Sequence, residues 1–248
     1  MEKPKVLDLF SGIGGFSYAF EQEGFSTIGF SEVEPFACQV LKKHWPKVTN
    51  YGDITKWRDW PDLVPDVVCG GFPCQPFSQA GKRRGASDDR FLWPAMLDVI
   101  ARYQPTWVVG ENVANFVNME LDNSISDLEK IGYEVQPFVV PACAVGFEHK
   151  RERIWIIGNN NKVGFSRNSA ENKKGVQSTY RNSVQSNRKV KTPHSARRMP
   201  RLLESPNCGI IHGLPSKLDV SRIAALGNSI VPQIAQEIAR CIYQVSYA

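Results

Sequence analysis

From residue 5 to residue 158 the chain repeats one pattern, a short run of β-branched or apolar residues followed by a stretch with apolar residues at helical spacing. The extended runs are Lys5–Phe10, Ser26–Ser31, Asp66–Gly70, Thr106–Glu111, Glu134–Val140 and Arg153–Gly158. The helical patterns between them are Gly15–Glu23, Pro35–His44, Leu92–Arg102 and Ser124–Ile131. Strands separated by helices are joined by crossovers, which leave neighbouring strands parallel. The expected fold is therefore α/β, a doubly wound and mainly parallel sheet that takes its ligands at the carboxyl edge.

After Gly158 the pattern stops at Asn159-Asn160-Asn161 and gives way to a stretch rich in Ser, Asn, Lys and Arg. The division expected is 1–158 for the main domain, 159–222 for a linker and small second region, and 223–248 for a segment that returns to the main domain. That last segment carries Ile234, Ala235, Ile238, Cys241 and Ile242 at helical spacing between Val231 and Val245. Charge follows the same division. Between Lys162 and Arg201, eleven basic residues stand against the single acid Glu171, a net +10, which leaves −5 for the rest of a chain whose total is +5. Such a stretch beside an acidic body is either a polyanion-binding surface, with nucleic acid the leading candidate, or a solvated linker.

Composition narrows the setting. With 42% of its 248 residues hydrophobic and 22% charged, the chain can bury a full core. No apolar run approaches the ~18 residues of a membrane span, and a cytoplasmic location is expected. The six cysteines, Cys38, Cys69, Cys74, Cys143, Cys208 and Cys241, form no C-x-x-C pair, so neither a structural metal nor a disulfide framework is expected.

Three segments carry chemistry. Asp8-Leu9-Phe10-Ser11-Gly12-Ile13-Gly14-Gly15-Phe16 is a glycine-rich turn from a strand into a helix, where a nucleotide-like ligand can approach the backbone. Glycines also serve tight turns that hold no ligand. Glu32 follows at about the ~20-residue spacing of an acid that accepts from ribose hydroxyls. Gly70-Gly71-Phe72-Pro73-Cys74-Gln75-Pro76-Phe77-Ser78 follows the third strand, and its two prolines fix the backbone around a cysteine. The fourth strand ends in Glu111-Asn112-Val113, so a thiol and an acid from neighbouring strand ends make a nucleophile and a proton donor.

In these segments the sequence resembles the DNA cytosine-5 methyltransferases, in the compact form found in bacteria and phages. That family has a glycine cofactor loop, a Pro-Cys dipeptide, a Glu-Asn-Val tripeptide, a Gln-x-Arg-x-Arg strand and a Gly-Asn-Ser-x-x-Pro-Gln segment, in that order. Here they read Asp8 to Phe16, Pro73-Cys74, Glu111-Asn112-Val113, His149-Lys150-Arg151-Glu152-Arg153 and Gly227-Asn228-Ser229-Ile230-Val231-Pro232-Gln233. The resemblance covers residues 5 to 158 and 223 to 245. It departs at His149, where Gln is usual, in lacking the Arg-rich motif that normally precedes Gly-Asn-Ser, and in a short region between Gly158 and Arg222.

The resemblance implies a Rossmann-like S-adenosylmethionine-dependent methyltransferase sheet with a small target-recognition region. It also implies methyl transfer to C5 of a cytosine flipped out of double-stranded DNA. Cys74 would add to C6, Glu111 would contact N3, and Arg153 and Arg151 would hold the cytosine edge. Phe10, Gly12, Ile13, Gly14, Glu32, Val33, Asp53, Ile54, Pro73, Leu92, Asn228 and Ser229 would form the S-adenosylmethionine pocket, Val33 standing where the family often has Trp. The stretch Gln75 to Arg90, with Gly81 and Gly85 as flexible points, suits a loop that folds onto DNA. Ser78, Lys82, Arg83, Arg84, Arg197, Arg198 and Arg201 are the expected DNA contacts, and a monomer is expected. Three rival readings stand beside this one. A zinc deaminase would need a cysteine at Phe77. The branch of the family that methylates tRNA has the same catalytic motifs. An inactive DNA-binding relative would not need Cys74, Glu111 and Arg153 intact.

Overall fold

The computed structural model describes residues 2–73, 92–118, 120–148, 150–160 and 216–247, with side chains from residue 221 onward in the last stretch. Its strands are β1 (Lys5–Leu9), β2 (Ser26–Ser31), β3 (Val67–Gly71), β4 (Trp107–Val113), β5 (Glu134–Val140) and β6 (Arg153–Asn159). They form one sheet in the order β2-β1-β3-β4-β6-β5. The first four strands are mutually parallel, as expected of crossover connections.

The sheet departs from a purely parallel one at β6, which runs antiparallel to both β4 and β5. The cause is local. Between β5 and β6 lies no crossover helix, only a short 3-10 turn at Ala142–Val145, so the chain folds straight back. As a result the first residue of β6, not its last, lies at the carboxyl edge: Arg153 sits opposite Val113, and Trp155 opposite Glu111.

Side-chain alternation along each strand builds two cores. Leu7, Leu9, Val68, Val108, Ile154 and Ile156 face one side. There they meet Met96, Val99 and Ile100 of α3 (Trp93–Tyr103) and Leu128 of α4 (Leu121–Lys130). Val6, Val67, Cys69, Val109 and Trp155 face the other side. There they meet Phe16, Ala19 and Phe20 of α1 (Gly15–Gln22). The same core takes Ile234, Ala235, Ala239 and Ile242 of the C-terminal helix, Pro232–Ser246. Asp8 belongs by alternation to this second face. Its carboxylate is fully buried, and Oδ2 accepts from the backbone N–H of Ser17 at 3.1 Å and from its hydroxyl at 2.7 Å.

Of the elements that were not expected, two bear on the site. A 3-10 turn at Ile54–Asp59 is clamped by Arg102, whose guanidinium donates to the carbonyls of Trp57 at 2.7 Å and Trp60 at 3.0 Å. A helix, Ser216–Asn228, begins inside the stretch read as linker. It carries exposed Ile223 and Leu226 and shows little apolar periodicity, so helical spacing gave no signal for it. In chain order α2 is Pro35–His44, α5 is Ser216–Asn228 and α6 is Pro232–Ser246.

Candidate active site

The carboxyl ends of β1 to β4 and the amino end of β6 open into a cleft of about 870 Å³. On the β1–β2 side it is lined by Phe10, Gly12, Glu32, Val33, Asp53 and Ile54. On the β3–β4–β6 side its lining includes Pro73, Leu92, Glu111, Arg151 and Arg153, and α5 contributes Asn228. Ile13, Gly14 and Ser229 are not among the lining residues.

Gly14 acts from behind the wall. It caps α1 with φ 87°, and a Cβ there would lie 2.6 Å from the ring of Trp45, so the turn closes only with glycine at this point. Ser229 follows α5, where Arg151 holds the backbone. One nitrogen of that guanidinium, Nη2, donates to the carbonyls of Gly227 and Ser229 at 2.7 Å each, and so fixes the segment that carries Asn228 into the cleft. Arg151 itself has φ 33°, an uncommon conformation for a side chain of this size.

Glu32 is held by three backbone donors. Oε2 accepts from Gly12 at 2.7 Å, and Oε1 accepts from Val33 at 2.8 Å and Glu34 at 2.7 Å. The β1 turn and the end of β2 are thereby tied together through one carboxylate. Asp53 caps the 3-10 turn, its Oδ1 accepting from the backbone N–H and hydroxyl of Thr55. Those bonds hold its carboxyl below the usual carboxylate range. Val33, on the same wall, is 66% exposed.

Across the cleft, Glu111 lies within β4 rather than at its end and is only 8% exposed. Burial raises its carboxyl to about 7, against the pull of the Arg153 and Arg151 guanidiniums. Arg153 Nε reaches Glu111 Oε1 at 3.0 Å, a pair that exists because β6 is reversed. Gly71 leaves room for it, since a Cβ there would lie 3.2 Å from Glu111 Oε2.

Asn112, given no role from the sequence, donates through Nδ2 to the carbonyl of Phe72 at 3.1 Å. Its Oδ1 accepts from Val113 N–H at 2.8 Å. It thus anchors the chain two residues before Cys74. Cys74 itself lies outside the described residues, as do Ser78, Lys82, Arg83, Arg84, His149, Arg197, Arg198 and Arg201, with the loop Gln75 to Arg90 and the stretch Lys162 to Arg201. Ser221, Ala224 and Ala225 of α5 also line the cleft. Nothing in the sequence marked them, because small residues on an unpredicted helix leave no pattern.

A doubly wound sheet with a reversed strand beside β4, and a carboxylate on each side of one edge cleft, defines a fold of the S-adenosylmethionine-dependent methyltransferase type. The profile of the family described as C-5 cytosine-specific DNA methylase matches residues 4–209, and the chain belongs to that family. Among its curated relatives, Type II methyltransferase M.AplI of Arthrospira platensis is 37% identical over 158 residues, 61% of this chain and 44% of that protein. Type II methyltransferase M.HpaII of Haemophilus parainfluenzae is 36% identical over 175 residues, 66% of this chain and 48% of that protein. The chain thus spans less than half the length of the relatives it matches. Among solved structures, the S. pombe Dnmt2 methyltransferase superposes with a TM-score of 0.56 at 20% identity, covering 70% of this chain and 58% of that one. A putative DNA modification methyltransferase encoded within an E. coli prophage gives 0.51 at 23% identity, covering 64% and 47%. Both likenesses are of fold. Among the described residues no helix is long and apolar enough to cross a membrane.

Proposed function

We propose that the chain transfers a methyl group from S-adenosylmethionine to C5 of a cytosine in double-stranded DNA, through a covalent adduct between Cys74 and C6. The observation that carries this reading is the ion pair of buried Glu111 with half-buried Arg153 at 3.0 Å, in the same cleft as Pro73, the residue before Cys74. Family membership and relatives named as Type II methyltransferases support it, and point to DNA modification of the restriction–modification kind.

The β1–β2 side of the cleft suits the cofactor. A nucleoside offers hydroxyl and amino donors together with an apolar ring. Glu32 and Asp53 offer carboxylates, Val33 and Phe10 apolar surface, and, its chain neighbours aside, no described atom lies within 4 Å of where a Cβ on Gly12 would be. When bound, S-adenosylmethionine supplies an electrophilic methyl sulfonium. Glu32 would accept from the ribose hydroxyls and Asp53 from the adenine amine. Ile13, Gly14 and Ser229 would support that pocket from outside, with Ile54, Leu92, Pro73 and Asn228 on its walls.

Cytosine C5 is too electron-poor to take a methyl group unaided. In the proposed reaction the Cys74 thiolate adds to C6 while Glu111 gives its proton to N3, and the ring becomes an enamine with a nucleophilic C5. C5 takes the methyl group and S-adenosylhomocysteine leaves. Loss of the C5 proton to water then re-forms the 5,6 double bond and expels the thiolate, and N3 returns its proton to Glu111. A carboxyl raised to about 7 is half protonated at neutral pH, which suits a group that must hold and release a proton. Arg153 would hold Glu111 and reach the base edge. Arg151 would act on the base and on the α5 segment it already grips. Extrusion of the base from the stack costs a few kcal/mol. Ser78, Lys82, Arg83, Arg84, Arg197, Arg198 and Arg201 are the proposed DNA contacts, residues 159–222 the target-recognition region, and the working form a monomer in the cytoplasm.

The test is bisulfite sequencing of DNA from cells expressing the protein, beside methyl-transfer assays on duplex DNA and on tRNA. Methylated cytosines at one recurring DNA sequence support the reading. Methyl transfer to tRNA alone overturns the DNA assignment, and transfer to neither overturns the reaction.

A further inference from the structure

One side chain outside every motif gathers the β1–β2 wall. After α2 the chain returns past the edge of the sheet, and Asn50 forms a parallel bridge with Phe30. The bridge rests on Phe30 N–H donating to Thr49 O at 2.9 Å and Tyr51 N–H donating to Phe30 O at 2.8 Å. From this added rung the carboxamide of Asn50 makes four hydrogen bonds. Oδ1 accepts from the backbone N–H of Glu32 and of Gly52, both at 3.1 Å. Nδ2 donates to the carbonyl of Glu32 at 3.0 Å and to Cys38 Sγ at 3.3 Å.

The pattern has a direction. Two N–H donors face the oxygen, and a carbonyl with a sulfur faces the nitrogen, so a flipped amide would set donor against donor on one side. Asn50 is exposed, and an exposed asparagine ordinarily exchanges its partners with water; here both ends of the amide are taken by the protein. Its backbone partners belong to the two residues that fix the carboxylates of the wall. Glu32 is gripped through both its own N–H and its own carbonyl. Gly52, which immediately precedes Asp53, is gripped through its N–H, while its carbonyl accepts from Ser31 Oγ at 2.7 Å.

We propose that Asn50 is a positioning residue for cofactor binding, one that couples Glu32 to the Gly52–Asp53 turn so that both carboxylates are set before the nucleoside enters. This rests on the reading of that wall as the nucleoside site. Asn50 does not line the cleft. Its contribution passes through Glu32 and Asp53, as preorganisation that the bound molecule would otherwise have to impose.

The experiment measures binding of S-adenosylhomocysteine to the full chain by calorimetry, for wild type, Asn50→Ala, Glu32→Ala and the double variant, with thermal unfolding of each. Coupled neighbours of this kind deviate from additivity, and the expected loss for Asn50→Ala is about tenfold in affinity. In the Glu32→Ala background the same substitution costs less, about threefold, because one of the two carboxylates it positions is gone and only Asp53 remains. In methyl-transfer assays the loss falls on KM for the cofactor rather than on kcat. Unchanged affinity in Asn50→Ala overturns the inference. So does an equal loss in both backgrounds, or a loss that merely follows a lowered unfolding temperature. If wild type fails to bind S-adenosylhomocysteine, the nucleoside reading falls and this inference with it. If wild type binds and Glu32→Ala weakens binding while Asn50→Ala does not, only the role of Asn50 is lost.

Discussion

Arg153 holds Glu111 from the neighbouring strand, Nε to Oε1 at 3.0 Å, although the two residues are not partners in the strand register. Glu111 is paired with Trp155, and Arg153 reaches back across two residues from the strand end. The acid therefore keeps a cation while burial holds its proton, and the two effects oppose each other on one group.

That opposition gives a pH dependence. A carboxyl raised to about 7 carries its proton below that pH and loses it above, so kcat/KM should fall as pH rises through about 7. Glu111→Gln cannot transfer a proton, and should lose about 10²–10⁴-fold in rate together with that limb of the profile. Single-turnover methyl transfer from pH 5.5 to 9 checks both. A wild-type profile flat through this range would remove Glu111 as the proton donor.

Cys74→Ser should abolish methyl transfer while S-adenosylhomocysteine binding stays close to wild type, since the thiol bonds to the base and not to the cofactor. Radiolabelled transfer at a wild-type rate would remove Cys74 as nucleophile.

Glu32→Ala should weaken cofactor binding by about 1–3 kcal/mol, the cost of leaving hydroxyl donors without a charged acceptor. The same change frees the N–H of Gly12, so the glycine turn should also gain amide exchange. An unchanged dissociation constant would make Glu32 a brace for the turn and nothing more.

Asp8 predicts a stability change. Burial raises it to about 7, with the two hydrogen bonds from Ser17 pulling the other way, while the unfolded chain titrates near 4. Between those values the folded state binds the extra proton. Its contribution is present in full below about 4 and is lost as pH rises through about 7. Asp8→Asn keeps an acceptor for Ser17 and removes the titration. Its stability should fall less than that of wild type from pH 4 to 7, with a difference of at most about 4 kcal/mol. Urea unfolding at several pH values measures it, and parallel curves for the two proteins would show that Asp8 does not titrate there.

The basic stretch is tested by salt. Replacing Arg188, Lys189 and Lys191 with Ala, or Arg197, Arg198 and Arg201, should flatten the slope of log affinity for DNA against log salt by roughly 1 per phosphate contact removed. The second triplet is expected to have the larger effect. Slopes equal to wild type for both would move the phosphate contacts to Lys82, Arg83 and Arg84.

What could be read in advance, and what could not, follows from where the information lies. Strand positions were legible because runs such as Lys5–Leu9 and Glu134–Val140 are bounded by turns. The reversal of β6 was not, because a strand looks the same in either direction and only the missing crossover between Val140 and Arg153 distinguishes them. Arg153 was read from its motif, but its grip on Glu111 needs that reversal. Helix α5 was missed because Ile223 and Leu226 point to solvent. Asn50 was missed because its four partners are backbone groups and one sulfur, and backbone contacts leave no residue type to search for.

The packing of α6 bears on how the protein comes off the ribosome. One face of the sheet is covered by α3 and α4, which are made before β6, but Val6, Val109 and Trp155 on the other face wait for Ile234, Ala239 and Ile242. At bacterial-to-eukaryotic synthesis speeds the roughly 70 residues between β6 and α6 take about 4–15 seconds to appear. For that interval the nascent chain carries one finished face and a second that only α1 covers, through Phe16, Ala19 and Phe20. Newly made protein should therefore depend on a holding chaperone more than the mature protein does, and a stop codon ahead of Pro232 should yield aggregate rather than a smaller soluble domain.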